Sequence, residues 1–162
     1  MWLSRLIAVL MVGMLTACTG LSVTPLGANF AKDDLRVAVI GTDGRNGQIY
    51  SRALSRLLGE AKDPAFTLSS ELSVASGSTL TVRGSSSNLR KRSMTASITL
   101  VDTATGETVM SDSISESSTV GTVSSYYAQT RSDKHSDERT SLLLAERVAA
   151  RVHLFFLDAK ER

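Results

Sequence analysis

A chain of 162 residues with one cysteine, 42% hydrophobic and 21% charged side chains has the length of a single domain. It has enough chain to bury a core without covalent staples, and one cysteine excludes an internal disulfide. The formal charge of +2 is spread through the sequence, with no long basic tail and no aromatic stacking platform, which argues against nucleic acid as a partner.

The chain opens with a short start carrying one positive charge, Arg5, followed by an unbroken apolar run over residues 6–15, LIAVLMVGML. At ~1.5 Å per residue this run reaches about half of a bilayer's hydrocarbon thickness. It therefore reads as a secretory signal core and not as a membrane-spanning anchor. Next comes Leu15-Thr16-Ala17-Cys18, with small residues ahead of the single cysteine. This resembles the bacterial lipobox, in which the thiol is alkylated by a diacylglyceryl group before cleavage. Only a thiolate is nucleophilic enough near neutral pH to form that thioether. Cys18 is accordingly assigned as the lipid attachment point, and two or more acyl chains hold a protein firmly to its membrane. Thr19 follows the cysteine, where an Asp commonly marks inner-membrane retention, so the resemblance implies the periplasmic face of an outer membrane. The expected organisation is a signal peptide over 1–17, a lipidated tether over 18–34 and one domain over 35–162.

Within that domain, residues 35–40 (LRVAVI) predict a first strand and residues 41–47 a loop. Ile49, Ala53, Leu54, Leu57 and Leu58 then recur at helical spacing, with Asp63-Pro64 as the expected stop. From Phe66 the period changes to two: Phe66, Leu68, Leu72 and Val74 share a parity that Leu80 and Val82 keep, as one long strand or two short ones. Residues 92–102 give the clearest strand, with Met94, Ala96, Ile98 and Leu100 on one side and Thr95, Ser97, Thr99 and Val101 on the other. A turn at 103–106 leads into a partner strand over 107–115, thin in apolar residues as an edge would be. Residues 117–132 read as a polar connection. A long helix is expected to open near Ser136 and to bury Leu142, Ala145, Val148, Ala149, Val152, Phe155, Phe156 and Ala159. The order β-α-β-β-β-α predicts an α+β two-layer sandwich: two helices on one face of a four-stranded mixed sheet.

No constellation for catalysis is legible. His135 and His153 stand apart with no cysteine to help them, which makes a zinc site improbable, and no serine sits in a Gly-x-Ser-x-Gly setting. The glycines at 41, 44 and 47 fit neither nucleotide-binding spacing and read as a plain turn between strand and helix. The chain is expected to be no enzyme and to hold no metal or cofactor. Its densest basic cluster is Arg90-Lys91-Arg92, with Arg83 upstream and a Gly84-Ser-Ser-Ser-Asn88 tip between. If the flanking strands pair, these cations gather at one end of the sheet. There they either bind phosphorylated sugar by charge-assisted hydrogen bonds or serve as a solvated hairpin end that blocks aggregation.

The lipobox, the Gly44-Arg45-Asn46-Gly47-Gln48 helix start, the Asp102-Thr103-Ala104-Thr105-Gly106 turn and Tyr126-Tyr127-Ala128 ahead of a Leu/Ala/Arg-rich helix together resemble the LptE family of LPS-assembly lipoproteins, in its α-proteobacterial form. The resemblance implies a plug inside a large outer-membrane barrel, LptD, with which the family places lipopolysaccharide in the outer leaflet. It further implies that Arg83, Arg90, Lys91 and Arg92 could meet lipid A phosphates. The nearest rival is an auxiliary lipoprotein of an ABC-type lipid transporter, which would be encoded beside an ATPase and a permease.

Overall fold

The computed structural model describes residues 35–78 and 89–161. The signal peptide, Cys18, the tether, Leu80, Val82 and Arg83 lie outside the described residues. In chain order the elements are β1 (Val37–Val39), α1 (Gly44–Leu58), β2 (Phe66–Ser78), β3 (Leu89–Asp102), β4 (Thr108–Gly121) and α2 (Tyr126–Glu161). The strands form one sheet in the order β1-β2-β3-β4. The β1/β2 pair is parallel and the other two pairs are antiparallel, so the sheet is mixed as expected.

Alternation sorts the sheet into two faces. Leu68, Leu100 and Met110 stand opposite one another across three strands, as do Leu72, Ala96 and Ile114, and all turn toward the helices. Against them pack Tyr50, Leu54 and Leu58 of α1, and Leu144, Ala145, Val148 and Val152 of α2. Both helices therefore cover one face, and the core lies between the layers. At ~1.5 Å per residue α1 is about 22 Å long and α2 about 54 Å, whereas β3 at ~3.4 Å per residue is about 48 Å. Only α2 spans the full sheet. Beyond the reach of α1, Val74 on the helix side of β2 remains 45% exposed.

Local chemistry sets the element ends. The first strand is shorter than its apolar run because Arg36 adopts the left-handed region at φ 46°. Its carbonyl accepts from the Ala65 and Phe66 amides at 2.8 and 3.1 Å, and its guanidinium grips Asp63 at 2.7 Å. Helix α1 ends at Gly59, at φ 85°, whose N–H donates to the Ser55 carbonyl at 2.9 Å, so glycine stops it before Asp63-Pro64 can. Gly47 is required by space: a Cβ there would sit 2.5 Å from the Thr42 carbonyl oxygen. The β3–β4 turn closes as expected, with Asp102 Oδ1 accepting from the amides of Ala104 and Thr105 and Gly106 at φ 72°.

Two boundaries differ most from the sequence expectation. The last strand runs on to Gly121, pairing residue by residue up to Leu89↔Gly121, with a bulge between Leu100 and Val101. The long helix opens at Tyr126, ten residues before Ser136. The helix extension is polar on the side that it buries, and the strand extension buries only Val120 as an apolar side chain beside Glu116 and Ser118, so hydrophobic periodicity does not register them. Along the helix itself, Leu142 and Ala159 are exposed, while Leu144, unassigned by the periodicity, is fully buried.

Candidate functional site

The basic cluster falls at the start of β3, and strand alternation divides it. Arg90 and Arg92 point to the helix side and Lys91 to the other face, where it is exposed. Neither arginine is open to solvent in the way a solvated hairpin end would be. Arg90 Nη2 donates to both carboxylate oxygens of Asp133, at 2.8 and 2.7 Å. Arg92 donates through Nε and Nη2 to the two oxygens of Asp137, each at 2.7 Å. Asp133 also lies 3.8 Å from Arg92 Nη1 and so bridges the two guanidiniums. Gln129 Nε2 donates to Asp133 at 2.9 Å.

The placement follows from matched rises. Helix α2 runs alongside β3 in the same direction, with Asp133 over Arg90, Asp137 over Arg92 and Ser141 over Met94. Four helix residues advance about 6.0 Å and two strand residues about 6.8 Å, so acids at i, i+4 stay level with cations at i, i+2. The hydrogen bond from Arg92 to Asp137 is the main reason that its guanidinium is held more firmly protonated than usual. Burial works to raise the Asp133 carboxyl, but the hydrogen bonds from Gln129 and Arg90 outweigh it and leave its pKa below the ordinary value.

With its two acids turned inward, this part of α2 presents Arg131, Lys134 and His135 outward. Together with Arg45 of α1 they line an open groove of about 540 Å³ in which Glu138 is the only acid. Arg45 reaches Glu138 only at 3.9 Å. This outward cationic groove was not anticipated, since it depends on α1 and α2 lying side by side.

A second surface is the helix-free face of the sheet. There Ser69, Thr95, Ser97, Thr99, Ser113 and Ser115 sit at neighbouring register positions, and Thr95 and Ser115 share a hydroxyl–hydroxyl bond of 2.8 Å. The face is hydrogen-bonding and flat. Chain entry and cation cluster lie at opposite ends of this sheet. Val37 pairs with Phe66, and Phe66 with Asp102, whereas Arg90 stands opposite Ser78. Twelve strand steps separate them, about 40 Å.

The histidines stay apart. His135 is exposed on α2, and His153 is half-buried, with burial pulling its pKa below the ordinary value. Among the described residues, no cluster of three or more His, Cys, Asp or Glu side chains could hold a metal ion, and no helix is long and apolar enough to cross a membrane. Gly44 and Gly47, expected in the loop over 41–47, lie instead in the opening turn of α1, which starts at Gly44.

These features define the class: an α+β two-layer domain whose surfaces offer binding groups. Known structures share this fold. A Caulobacter crescentus protein described as a lipoprotein superposes with a TM-score of 0.60 at 17% identity, covering 76% of this chain and 92% of the other. A minor lipoprotein from Acinetobacter baumannii gives 0.60 at 8% identity, covering 74% and 92%. The rare lipoprotein B of Shewanella oneidensis gives 0.60 at 8% identity, covering 76% and 98%. No family model and no curated protein sequence matches.

Proposed function

We propose that this chain is a lipid-anchored lipoprotein of the outer membrane that partners and plugs an LptD-type barrel in lipopolysaccharide assembly, with no chemistry of its own. The single observation that carries the reading is the helix-free sheet face. A barrel lumen is polar, and a plug therefore needs an exterior that makes hydrogen bonds on contact. The hydroxyl rows of β2, β3 and β4 meet that need with few charges to desolvate. The Leu15-Thr16-Ala17-Cys18 motif supports anchoring at the periplasmic face. The fold shared with three proteins described as lipoproteins agrees with it.

A photo-crosslinking residue at Ser97, followed by pull-down from intact outer membranes, tests the reading. The expected product is a covalent adduct with a large β-barrel. Recovery of the solubilised protein only as an uncrosslinked monomer sinks it, and so does a mature protein without acyl chains on Cys18.

A further inference from the structure

Two of the cations singled out as phosphate contacts, Arg90 and Arg92, are already occupied by carboxylates, and the manner of occupation is informative. We propose that residues 126–140 of α2 form a displaceable cover, and that phosphate groups of a ligand exchange with Asp133 and Asp137 for the Arg90/Arg92 pair. The inference rests on the reading above in taking lipopolysaccharide as the carrier of those phosphates.

The first reason is chemical. Carboxylate and phosphate both take guanidinium bidentately, so the two aspartates occupy the positions that phosphate oxygens would take. Asp133 already bridges both arginines, at 2.7 and 3.8 Å, as one phosphate group would. Arg90 Nε is buried without a hydrogen-bond partner among the described residues, which leaves a donor for a ligand with more acceptor oxygens than a carboxylate.

The second reason is energetic. Over residues 126–140 the helix holds the sheet by Asp133 and Asp137 on the two arginines and by Ser136 and Thr140 on Ser118, with Val120 of β4, opposite Arg90, as the buried apolar side chain of this part of the sheet. The first buried apolar side chain of α2 is Leu144. Lifting the cover therefore exposes one buried apolar side chain of β4, Val120, and returns both members of each pair to water, so no buried charge is orphaned. A joint exists where the ionic half meets the apolar half. Thr140 and Ser141 each donate a hydroxyl back to the helix, to the carbonyls of Ser136 and Asp137 at 2.8 Å. Such back-bonding loosens and bends helices.

The third reason is electrostatic. Asp133 and Asp137 face inward and leave Glu138 as the acid of the outer groove against Arg45, Arg131 and Lys134, so the outer side of the cover draws anions to the spot where the exchange takes place.

Ser118 Oγ and Ser136 Oγ lie 2.6 Å apart, across the cover and the sheet. In the mature lipoprotein carrying S118C and S136C, a disulfide would clamp the cover, and reductant would release it. Purified lipopolysaccharide is the probe, with its dephosphorylated form and inorganic pyrophosphate as further arms. The oxidised protein is expected to bind lipopolysaccharide at least ~10-fold more weakly than the reduced protein, and D133N/D137N ~10-fold more tightly than wild type. Competition by pyrophosphate assigns the exchange to phosphate as such, and competition by lipopolysaccharide alone assigns it to lipid-borne phosphate. Equal binding by the clamped and released forms overturns the proposal, as does equal binding of the dephosphorylated probe. A clamped protein that still crosslinks to a barrel but binds no differently keeps the proposed function and removes only the cover. Loss of the barrel adduct in wild type removes the function itself.

Discussion

Replacing Arg92 by Met tests the ionic half of the helix–sheet interface most directly. The Arg92 and Asp137 side chains are only 16% and 15% exposed, and they share two hydrogen bonds of 2.7 Å. Removing one member of such a pair leaves a buried charge without a partner, which costs about 3–5 kcal/mol. Solvent reaches the edge of this pair, so the lower end applies, about 3 kcal/mol, or on the order of 10 °C in Tm for a domain of this size. Asp137→Leu costs less, because Arg92 keeps Asp133 at 3.8 Å as a second partner. The double variant Arg92→Met/Asp137→Leu replaces both ions by apolar groups of similar size and is expected within about 1 kcal/mol of wild type. Urea titrations of the detergent-solubilised protein, followed by circular dichroism, measure all four corners of the cycle. If the single change costs under about 1 kcal/mol and the two effects add, the pair is screened by water and its geometry carries no energy.

Gly47→Ala is expected to cost about 2 kcal/mol in a thermal melt, because the new methyl would meet the Thr42 carbonyl and force the backbone apart. Tyr50→Phe probes the alkaline limb. Burial raises the phenol above its ordinary pKa against the smaller opposing effect of Ser70, so its contribution is complete below about pH 10 and lost as pH climbs through the folded value. Wild type should weaken there in urea titrations while the variant stays level. Asp112 carries the opposite sign. The hydrogen bond from Arg151, aided by the Ser113 amide, lowers its pKa, so its stabilisation is present above about pH 4 and fades as pH falls through the folded value. Asp112→Asn should flatten that acid limb, and an unchanged slope would deny the pairing any role.

The sequence disclosed those parts in which one side of an element is apolar. Met94, Ala96, Ile98 and Leu100 announce β3 by alternation, and Val148, Ala149 and Val152 announce the later half of α2. Asp102 and Gly106 mark the hairpin because only certain residues make that turn. Where the buried side is ionic, the same reasoning reverses its conclusion. Residues 117–132 read as a polar connection ahead of a helix opening near Ser136, yet that stretch is strand and helix in which Ser118, with Asp133 and Ser136 just beyond it, faces the interior of the two layers. The cue that was available is spacing: acids at 133 and 137 match cations at 90 and 92 once helix and strand rises are compared. Arg36 gave no such cue, since nothing in a Leu-Arg-Val run marks a left-handed residue. The outward groove needed α1 and α2 side by side, a juxtaposition that local pattern does not encode.

Four close arginine–acid pairs between α2 and the sheet, among the described residues, explain how a long helix with a weak apolar stripe finds its place. Toward its start the helix supplies the acids, Asp133 and Asp137, and the sheet supplies Arg90 and Arg92. Toward its end the roles exchange: Arg147 and Arg151 come from the helix and Glu116 and Asp112 from β4. Laid on the sheet in the reverse direction, the helix would set acid against acid and arginine against arginine at both ends, so the pattern rejects the wrong orientation as well as rewarding the right one. The inward Asp112 and Glu116 also guard the open edge of β4 against pairing with another chain. The two sets nonetheless differ in what surrounds them. Arg147 and Arg151 flank the buried Val148 and Val152, whose burial holds the helix down whatever the ions do. Arg90 and Arg92 have no such neighbours on the helix above them. Orientation is therefore secured at the end where the chain enters the fold, and this leaves the far pair free to trade a carboxylate for a stronger anion without loss of the fold.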